Sequence, residues 1–364
     1  MSGDYSKSPG AKERFWPFGA DRQIARSTAT MERFRQLRAR RAYHAVVCGY
    51  KEKIPGKSFN LQFSRRKIMP KFETLVSGLS FTECPRWRDG RLYFSDFYSQ
   101  RVLAVALDGT AETIAEVPGR PSGLGFLPDG RMLIVSMRDR KILRREPDFS
   151  LVEHADLSSL APWHLNDMLV DQQGRAWVGN FGFDLMGGAK VITTNLICVD
   201  PDGCARVAAA GLGFPNGMAL TPDGGTLIVA ETMMNRLSAF DVASGVLGKR
   251  RTWAAFGDPP TSDASAEVLS QVDVAPDGIC LDAEGAIWVA DAKHGRLIRV
   301  AEGGDILEEL KTDGLGVFAC MLGGVNGRTL FACVAPTFHE AEASANHRAA
   351  VWTIEVDVPK AGLP

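Results

Sequence analysis

Residues 83–96, ECPRWRDGRLYFSD, contain two short apolar runs separated by an Asp-Gly turn. Asp-Gly between such runs is a strong β-hairpin signal. The stretch also places a charged residue, Glu83, at the start of the first run. That side chain is either a solvated surface charge or a group that the fold directs at a ligand. The stretch recurs along the chain, and the recurrences decide between these interpretations.

Five further segments share the layout of a small polar group, an apolar strand, a turn glycine and a second apolar strand. They are PSGLGFLPDGRMLIVS (121–136), LNDMLVDQQGRAWVGN (165–180), PNGMALTPDGGTLIVAE (215–231), PDGICLDAEGAIWVAD (276–291) and ACMLGGVNGRTLFACV (319–334). The turn glycines recur every 40 to 61 residues and are Gly90, Gly130, Gly174, Gly224, Gly285 and Gly327. A further strand pair follows each hairpin, as in RVLAVALDG (101–109). Four short strands per unit are typical of a propeller blade, so the sequence predicts an all-β fold, a six-bladed β-propeller.

The two ends of the repeat array predict how the ring closes. KFETLVSGL (71–79) precedes the first unit and AVWTIEV (350–356) ends the last. We expect these strands to pair, because pairing removes the open sheet edges. A pair of sandwiches or another β-solenoid is the alternative architecture, disfavoured by six matched units without helical spacers.

The first 68 residues differ in charge from the remainder. They carry 16 Lys and Arg against 5 Asp and Glu, whereas the other residues carry 26 against 38. The Arg-rich stretch ERFRQLRARRAYH (32–44) fits a disordered or weakly helical tail, a targeting segment or a contact for an acidic partner. A start of translation at Met69 is a further interpretation. We therefore expect a basic N-terminal extension over 1–68 and the propeller over 69–364.

Composition excludes several classes of protein. The net charge of −1 argues against a dedicated nucleic-acid binder. Seven cysteines without a CxxC pair suit reduced thiols, no apolar window is long enough for a membrane span, and the N-terminus lacks a signal-peptide core. We expect a cytoplasmic protein without nucleic-acid or membrane partners, as a monomer or small homo-oligomer.

One position of the repeat lines up polar residues around the predicted axis. Eight residues before the turn glycine stand Ser122, Asn166, Asn216, Asp277 and Ala319, and Glu83 stands seven before Gly90 in a shorter first unit. Two carboxylates and two amides are oxygen donors of the kind that Ca²⁺ takes, whereas Zn²⁺ prefers nitrogen and sulfur. Any one of the four could merely cap a turn. All four at one phase predict a divalent cation held by Glu83, Asn166, Asn216 and Asp277, with Ca²⁺ favoured and Mg²⁺, Mn²⁺ or Zn²⁺ possible.

FTECPRW, HLNDMLVDQQGR, FPNGMALTPDG and PDGICLDAEGAIWVAD resemble the family of senescence marker protein (regucalcin), bacterial gluconolactonase and luciferin-regenerating enzyme. The resemblance runs from about residue 72 to the C-terminus and leaves 1–68 without a counterpart. It implies a six-bladed propeller with one divalent metal on the axis, bound by Glu83, Asn166, Asn216 and Asp277. It also implies that Asp277 acts as the general base that activates water.

The chain departs from the family pattern beside the second ligand. Relatives that act on aldonolactones often carry Arg two residues before that ligand, and here His164 stands there. His164 is either a packed histidine or a catalytic group that contacts substrate or moves a proton. The nearby GNFGFDLMGG (179–188) is rich in Phe, and Phe181, Phe183 and Asp184 are candidates for shaping a pocket. Arg138 is a rim charge or a substrate contact, and Cys84 and Cys280 are expected to be core or back-face thiols.

These observations predict a metal-dependent hydrolase that opens a small lactone, of the gluconolactonase type and sugar-derived. The alternatives are metal-assisted cleavage of another ester or an organophosphate, and a non-catalytic calcium-binding or interaction propeller. No G-x-S-x-G elbow supports a serine hydrolase, and no G-x-G-x-x-G supports a nucleotide cofactor.

Overall fold

The structure, a computed structural model, describes residues 71–362. The predicted extension over 1–68 lies outside these residues. Within them, 25 strands form six antiparallel sheets, which confirms the all-β prediction. The first strand is β1 (Glu73–Leu79), and blade one follows as β2 (Thr82–Arg88), β3 (Arg91–Asp96), β4 (Arg101–Ala106) and β5 (Ala111–Glu116).

The next blades repeat the four-strand order. Blade two contains β6 (Pro121–Phe126), β7 (Met132–Ser136), β8 (Lys141–Arg145) and β9 (Leu151–Asp156). Blade three contains β10 (Leu165–Val170), β11 (Ala176–Asn180), β12 (Thr194–Val199) and β13 (Ala205–Leu212). Blade four contains β14 (Pro215–Leu220), β15 (Thr226–Glu231), β16 (Arg236–Ala243), β17 (Val246–Leu247) and β18 (Arg251–Ala255).

The last two blades carry the two short helices between their strands. Helix α1 (Ser265–Gln271) precedes blade five, which contains β19 (Pro276–Leu281), β20 (Ile287–Asp291), β21 (Arg296–Val300) and β22 (Ile306–Lys311). Blade six contains β23 (Gly316–Gly323), β24 (Thr329–Ala335) and β25 (Ala349–Glu355), with helix α2 (Glu340–Asn346) between β24 and β25. No helix among residues 71–362 is long and apolar enough to cross a membrane.

Strand β1 completes blade six as its outermost strand. It pairs antiparallel with β25, from Glu73 opposite Thr353 to Leu79 opposite Ala349, and the sheet order is β1-β25-β24-β23. The predicted closure by 71–79 and 350–356 is therefore confirmed, and the ring is held by hydrogen bonds between the two ends of the described chain.

The turn glycines explain the register of the hairpins. All six adopt a positive φ between 70° and 90°, the left-handed region that glycine enters at little steric cost. Each therefore sits where the first strand of a blade turns into the second. The hairpin position fixes which residues of the first strand face the axis.

The core lies between the blades, and the strands become less exposed to solvent toward the axis. Strand β2 is almost wholly buried, whereas the outermost strands β5 and β22 are mostly exposed. Large side chains such as Trp177, Trp288 and Phe331 fill the spaces between sheets without solvent contact. Each such burial stabilises the fold by about 1.5–3 kcal/mol, so the blades hold the axial residues in a rigid frame.

Candidate metal centre and substrate pocket

The innermost strand of every blade has an irregular register at the predicted ring position. The shift falls between Glu83 and Arg86 in β2, between Leu165 and Met168 in β10, and between Pro276 and Ile279 in β19. Strands β6, β14 and β23 show the same irregularity. A bulge re-aims the side chain that it carries, and here the irregularity lies at or directly beside the ring position in all six blades.

Glycines next to the ring position allow the innermost strands to approach closely. A side chain at Gly217 would meet backbone atoms of Asp277 and Ile279 at 2.5 Å, and one at Gly278 would meet Ala319 at 2.6 Å. The neighbouring blades therefore touch through backbone at this level. This close approach brings residues from different blades within reach of a single ligand.

The structure brings the four predicted metal ligands to one cavity. Glu83, Asn166, Asn216 and Asp277 are each 5–7 % exposed and all line it. The Asn216 amide donates to the Asp277 carboxylate and to the Thr232 hydroxyl at 3.2 Å. The Thr232 hydroxyl in turn donates to the Pro276 carbonyl at 2.7 Å. Asn216 is thereby held with its amide oriented toward Asp277.

The two carboxylates of the ring carry an electrostatic cost. Burial raises the pKa of Glu83 well above its usual range, and repulsion by Asp277 and Asp167 raises this pKa further. Burial likewise raises the pKa of Asp277, with repulsion by Asp167 adding to the effect and the Asn216 hydrogen bond opposing it. Either a proton or a cation would remove this cost.

The donor set fits a hard divalent cation. The two carboxylates offer anionic oxygen ligands and the two amides offer neutral oxygen ligands. Oxygen ligands of both kinds are typical of Ca²⁺ and Mg²⁺ sites. Among residues 71–362, no cluster of three or more His, Cys, Asp or Glu side chains is placed to hold a metal. A cation on the axis would therefore depend on Asn166 and Asn216 and on water as well as on the two carboxylates. The assignment of the four residues as ligands remains a prediction.

His164 lines the same cavity as the ring. Its imidazole stacks on Trp163 with ring centroids 5.0 Å apart and meets Phe181 edge-on at 6.1 Å. Burial lowers the pKa of His164, and the positive charges of Arg120 and Arg138 lower it further. The imidazole is therefore neutral near pH 7, able to accept a hydrogen bond or a proton. Its predicted catalytic role is not tested by this arrangement.

The pocket is a cavity of about 280 Å³ on one face of the propeller. Its walls come from the loops that enter each innermost strand and from those that join the second and third strands of a blade. Phe181, Asp184 and Arg138 line it as the sequence suggested. Phe183 instead packs behind the wall, 6.0 Å from Phe214.

An ion pair that the sequence pattern did not indicate lies deeper along the axis. The Arg86 guanidinium donates to the Asp167 carboxylate at 2.7 Å, and both side chains are about 95 % buried. Arg86 also donates to the Pro85 carbonyl at 2.8 Å and to the Met168 carbonyl. Arg86 stands three residues after Glu83 and Asp167 follows Asn166 directly, so adjacency to ring positions was the available signal.

A second set of polar residues, at the end of the second strands, anchors the pocket loops. Asp96 accepts hydrogen bonds from the Ser80 and Phe81 amides at 2.9 and 3.2 Å. Glu231 accepts from the Gly213 amide at 2.8 Å, and Asp291 accepts from the Ala275 amide at 3.2 Å. Each bond ties the loop that precedes an innermost strand. The signal was present, because Asp96 and Asp291 both stand six residues after their turn glycine.

Five of the six cysteines in the described range are buried, and Cys204 is exposed. Cys84 and Cys280 are buried, as the sequence suggested, and the six cysteines between 71 and 362 are all free thiols. Burial is the main cause that raises the pKa of Cys84. A thiol held in the protonated form is a poor metal ligand and a poor nucleophile.

Comparison with known proteins agrees with the propeller architecture. The family described as SMP-30/Gluconolactonase/LRE-like region matches residues 81–335, and the chain belongs to this family, as the sequence resemblance indicated. A 6-deoxy-6-sulfogluconolactonase of Pseudomonas putida is 26 % identical over 291 residues, covering 78 % of this chain and 93 % of the relative. The pentonolactonase XacC of Haloferax volcanii is 25 % identical over 257 residues, covering 70 % and 81 %.

A solved structure supports the fold. The calcium-binding protein regucalcin of Agrobacterium tumefaciens superimposes with a TM-score of 0.65 over 80 % of this chain and 95 % of its own. Sequence identity in that superposition is 20 %. The prediction of a six-bladed propeller is thereby confirmed.

Proposed function

We propose that this protein is a metal-dependent hydrolase that opens a small lactone above the axial ring. The observation that carries the proposal is the pair of buried carboxylates, Glu83 and Asp277, with Asn166 and Asn216 in the same cavity. The names of the relatives support lactone hydrolysis as the reaction class. Regucalcin, described as calcium-binding, supports Ca²⁺ as the first cation to test.

The ring residues divide the chemistry between them. When bound, a divalent cation supplies Lewis-acid polarisation of the lactone carbonyl and stabilises negative charge on its oxygen. Asp277 takes the proton from the attacking water, and Asn216 holds that carboxylate in position. The water oxygen joins the acyl carbon, the ring C–O bond breaks, and the proton passes to the departing oxygen. His164 is placed in the same cavity to assist that proton transfer.

The relatives' names and the lining of the cavity favour different classes of substrate. The relatives' names favour a sugar-derived lactone, which is also what the sequence resemblance implies. The cavity of this chain is lined mainly by aromatic and aliphatic side chains. Other esters and organophosphates remain alternative substrates for the same ring, and tight calcium binding without turnover remains the non-catalytic alternative. The volume of the cavity suits a small molecule in each case.

The proposal is tested with metal-stripped protein and a pH-indicator assay for lactone hydrolysis. Aldonolactones, aliphatic lactones and benzo-fused lactones form the panel, and Ca²⁺, Mg²⁺, Mn²⁺ or Zn²⁺ is added back. We expect turnover to depend on one of these cations. Ser122→Ala is the matched control, because Ser122 shares the ring phase but lies outside the cavity lining. Turnover that is unchanged by metal removal would refute metal dependence. Metal binding without any turnover would leave the non-catalytic calcium-binding alternative.

A further inference from the structure

Two groups of aromatic side chains wall the cavity above the ring. The first wall comes from blades one and six and comprises Phe81, Phe97, Tyr98, Phe318 and Phe338. The second wall comes from the loops of blades three and four and comprises Trp163, His164, Phe181 and Phe214. Blades one and six are neighbours, as are blades three and four. In a ring of six the two walls therefore face each other across the axis.

Each wall is packed before any ligand arrives. In the first, Phe81 lies 4.8 Å from Phe318 and 5.5 Å from Phe97, measured between ring centroids. In the second, Phe181 lies 4.5 Å from Phe214. The walls are thus fixed apolar surfaces, and binding a flat ligand between them would require little reordering of side chains.

Several polar side chains around the cavity are already engaged, although the Arg120 Nε atom is buried without a partner among residues 71–362. The Tyr98 hydroxyl donates to the Phe338 carbonyl, and the Thr232 hydroxyl donates to the Pro276 carbonyl. Arg120 is paired with Glu340 and lies over the Tyr98 ring at 4.9 Å.

Asp184 is engaged in the same way, because it accepts a hydrogen bond from the Gly187 amide at 2.8 Å. The hydroxyl groups of a sugar would therefore depend on His164, Arg138 and the axial oxygens, because the other polar side chains named here already have partners. Burying a hydroxyl without a hydrogen bond is unfavourable.

We infer that the pocket takes a lactone fused to an aromatic ring, with the arene between the two walls and the ester group at the axial ring. The position of the ester rests on the proposed function, whereas the fit of the arene rests on the walls alone. Aromatic rings attract one another in offset or edge-on arrangements at centroid separations of about 4.5–7 Å. The volume of about 280 Å³ is near the lower end of the roughly 300–1,000 Å³ typical of small-molecule sites, which suits a bicyclic ligand.

The test separates binding from turnover by using lactams, whose amide resists hydrolysis. The probes are the lactam analogue of dihydrocoumarin and gluconolactam, titrated calorimetrically into the full chain in calcium buffer. Dihydrocoumarin and gluconolactone are assayed for hydrolysis in parallel. We expect the aromatic lactam to bind at least about tenfold more tightly, a difference that one aromatic contact of about 1.4 kcal/mol supplies.

Two variants locate the binding. Trp163→Leu and Phe338→Leu each remove one ring from a wall at partly exposed positions, so folding is expected to survive. Each should weaken the aromatic lactam about three- to tenfold and leave gluconolactam unchanged. Phe149→Leu is the matched control, because Phe149 is 70 % exposed in the β8–β9 turn and does not line the cavity.

The outcomes distinguish this inference from the proposed function. Gluconolactam binding as tightly as the aromatic lactam, or neither lactam binding, overturns the aromatic pocket. If the two lactams bind equally and gluconolactone is hydrolysed, the proposal of lactone hydrolysis stands. Tight binding of the aromatic lactam with no turnover of any lactone in the wider panel supports the pocket and refutes the hydrolase. Equal effects of Trp163→Leu and Phe149→Leu would also overturn the assigned location.

Discussion

Two sets of buried charges lie along the propeller axis, and the protein treats them differently. Arg86 and Asp167 form a matched pair, and Arg86 also bonds two backbone carbonyls. Glu83 and Asp277, at the floor of the cavity, are two like charges, and their pKa values are both raised. The fold neutralises the first set internally. It leaves the second set to be neutralised by something that enters, which is the pattern expected of a binding site.

The largest expected effect is the loss of stability when the Arg86–Asp167 pair is broken. Arg86→Met leaves Asp167 buried without its partner and should lower the free energy of unfolding by about 3–5 kcal/mol. Urea unfolding monitored by tryptophan fluorescence measures this loss. Arg86→Met with Asp167→Leu removes both charges and should recover much of the stability. A single variant as stable as the parent would show that the pair is not a structural charge pair.

The next effect concerns catalysis at the unmatched set. Asp277→Asn keeps the shape of the side chain but cannot take a proton from water, so kcat/KM should fall by about 10²–10⁴-fold. Lactone hydrolysis at saturating cation measures the loss, with Ser122→Ala as the control. Circular dichroism verifies that the variant is folded. Retained turnover would remove Asp277 from the role of general base.

The third prediction is that a substitution in a buried site stabilises the protein, whereas most such substitutions lower the free energy of unfolding. In metal-free protein, Glu83→Gln removes one of the two like charges and should raise the free energy of unfolding, because burial and repulsion by Asp277 and Asp167 disfavour the charged form of Glu83. The same variant should lose most of the thermal stabilisation that added Ca²⁺ gives the parent. Thermal unfolding with and without Ca²⁺ measures both effects. A destabilised metal-free variant with intact calcium response would contradict the like-charge interpretation.

The smallest expected effect is a pH dependence. A carboxyl whose pKa is raised by folding contributes stability when protonated, and this contribution is lost as pH rises through the raised pKa. For Glu83 and Asp277 the loss therefore begins above about pH 4, the usual range of these groups. The stability advantage of metal-free Glu83→Gln over the parent should grow from pH 4 to pH 8. An advantage that is constant with pH would show that charge is not its cause.

The sequence supported the fold strongly because its signals were local and repeated. A turn glycine between two apolar runs is visible in a short window, and six such windows with one phase indicate six blades. The ring residues followed from the same phase, because equivalent strands place equivalent residues around one axis. Arg86 and Asp167 were missed because no spacing along the chain shows that positions 81 residues apart will pair.

The sequence by itself determined the propeller, its closure and the four polar residues that meet on the axis, since hairpin chemistry and phase are properties of local segments. Only the tertiary structure decided what surrounds them. It placed aromatic rings from four blades into two facing walls and paired Arg120 with Glu340, 220 residues further along the chain. Among residues 71–362, it also gives Glu83 and Asp277 no salt bridge of the kind that Asp167 forms with Arg86. Such features depend on which blades become neighbours and on how far burial strengthens the interactions between charges. Both are consequences of closing the ring.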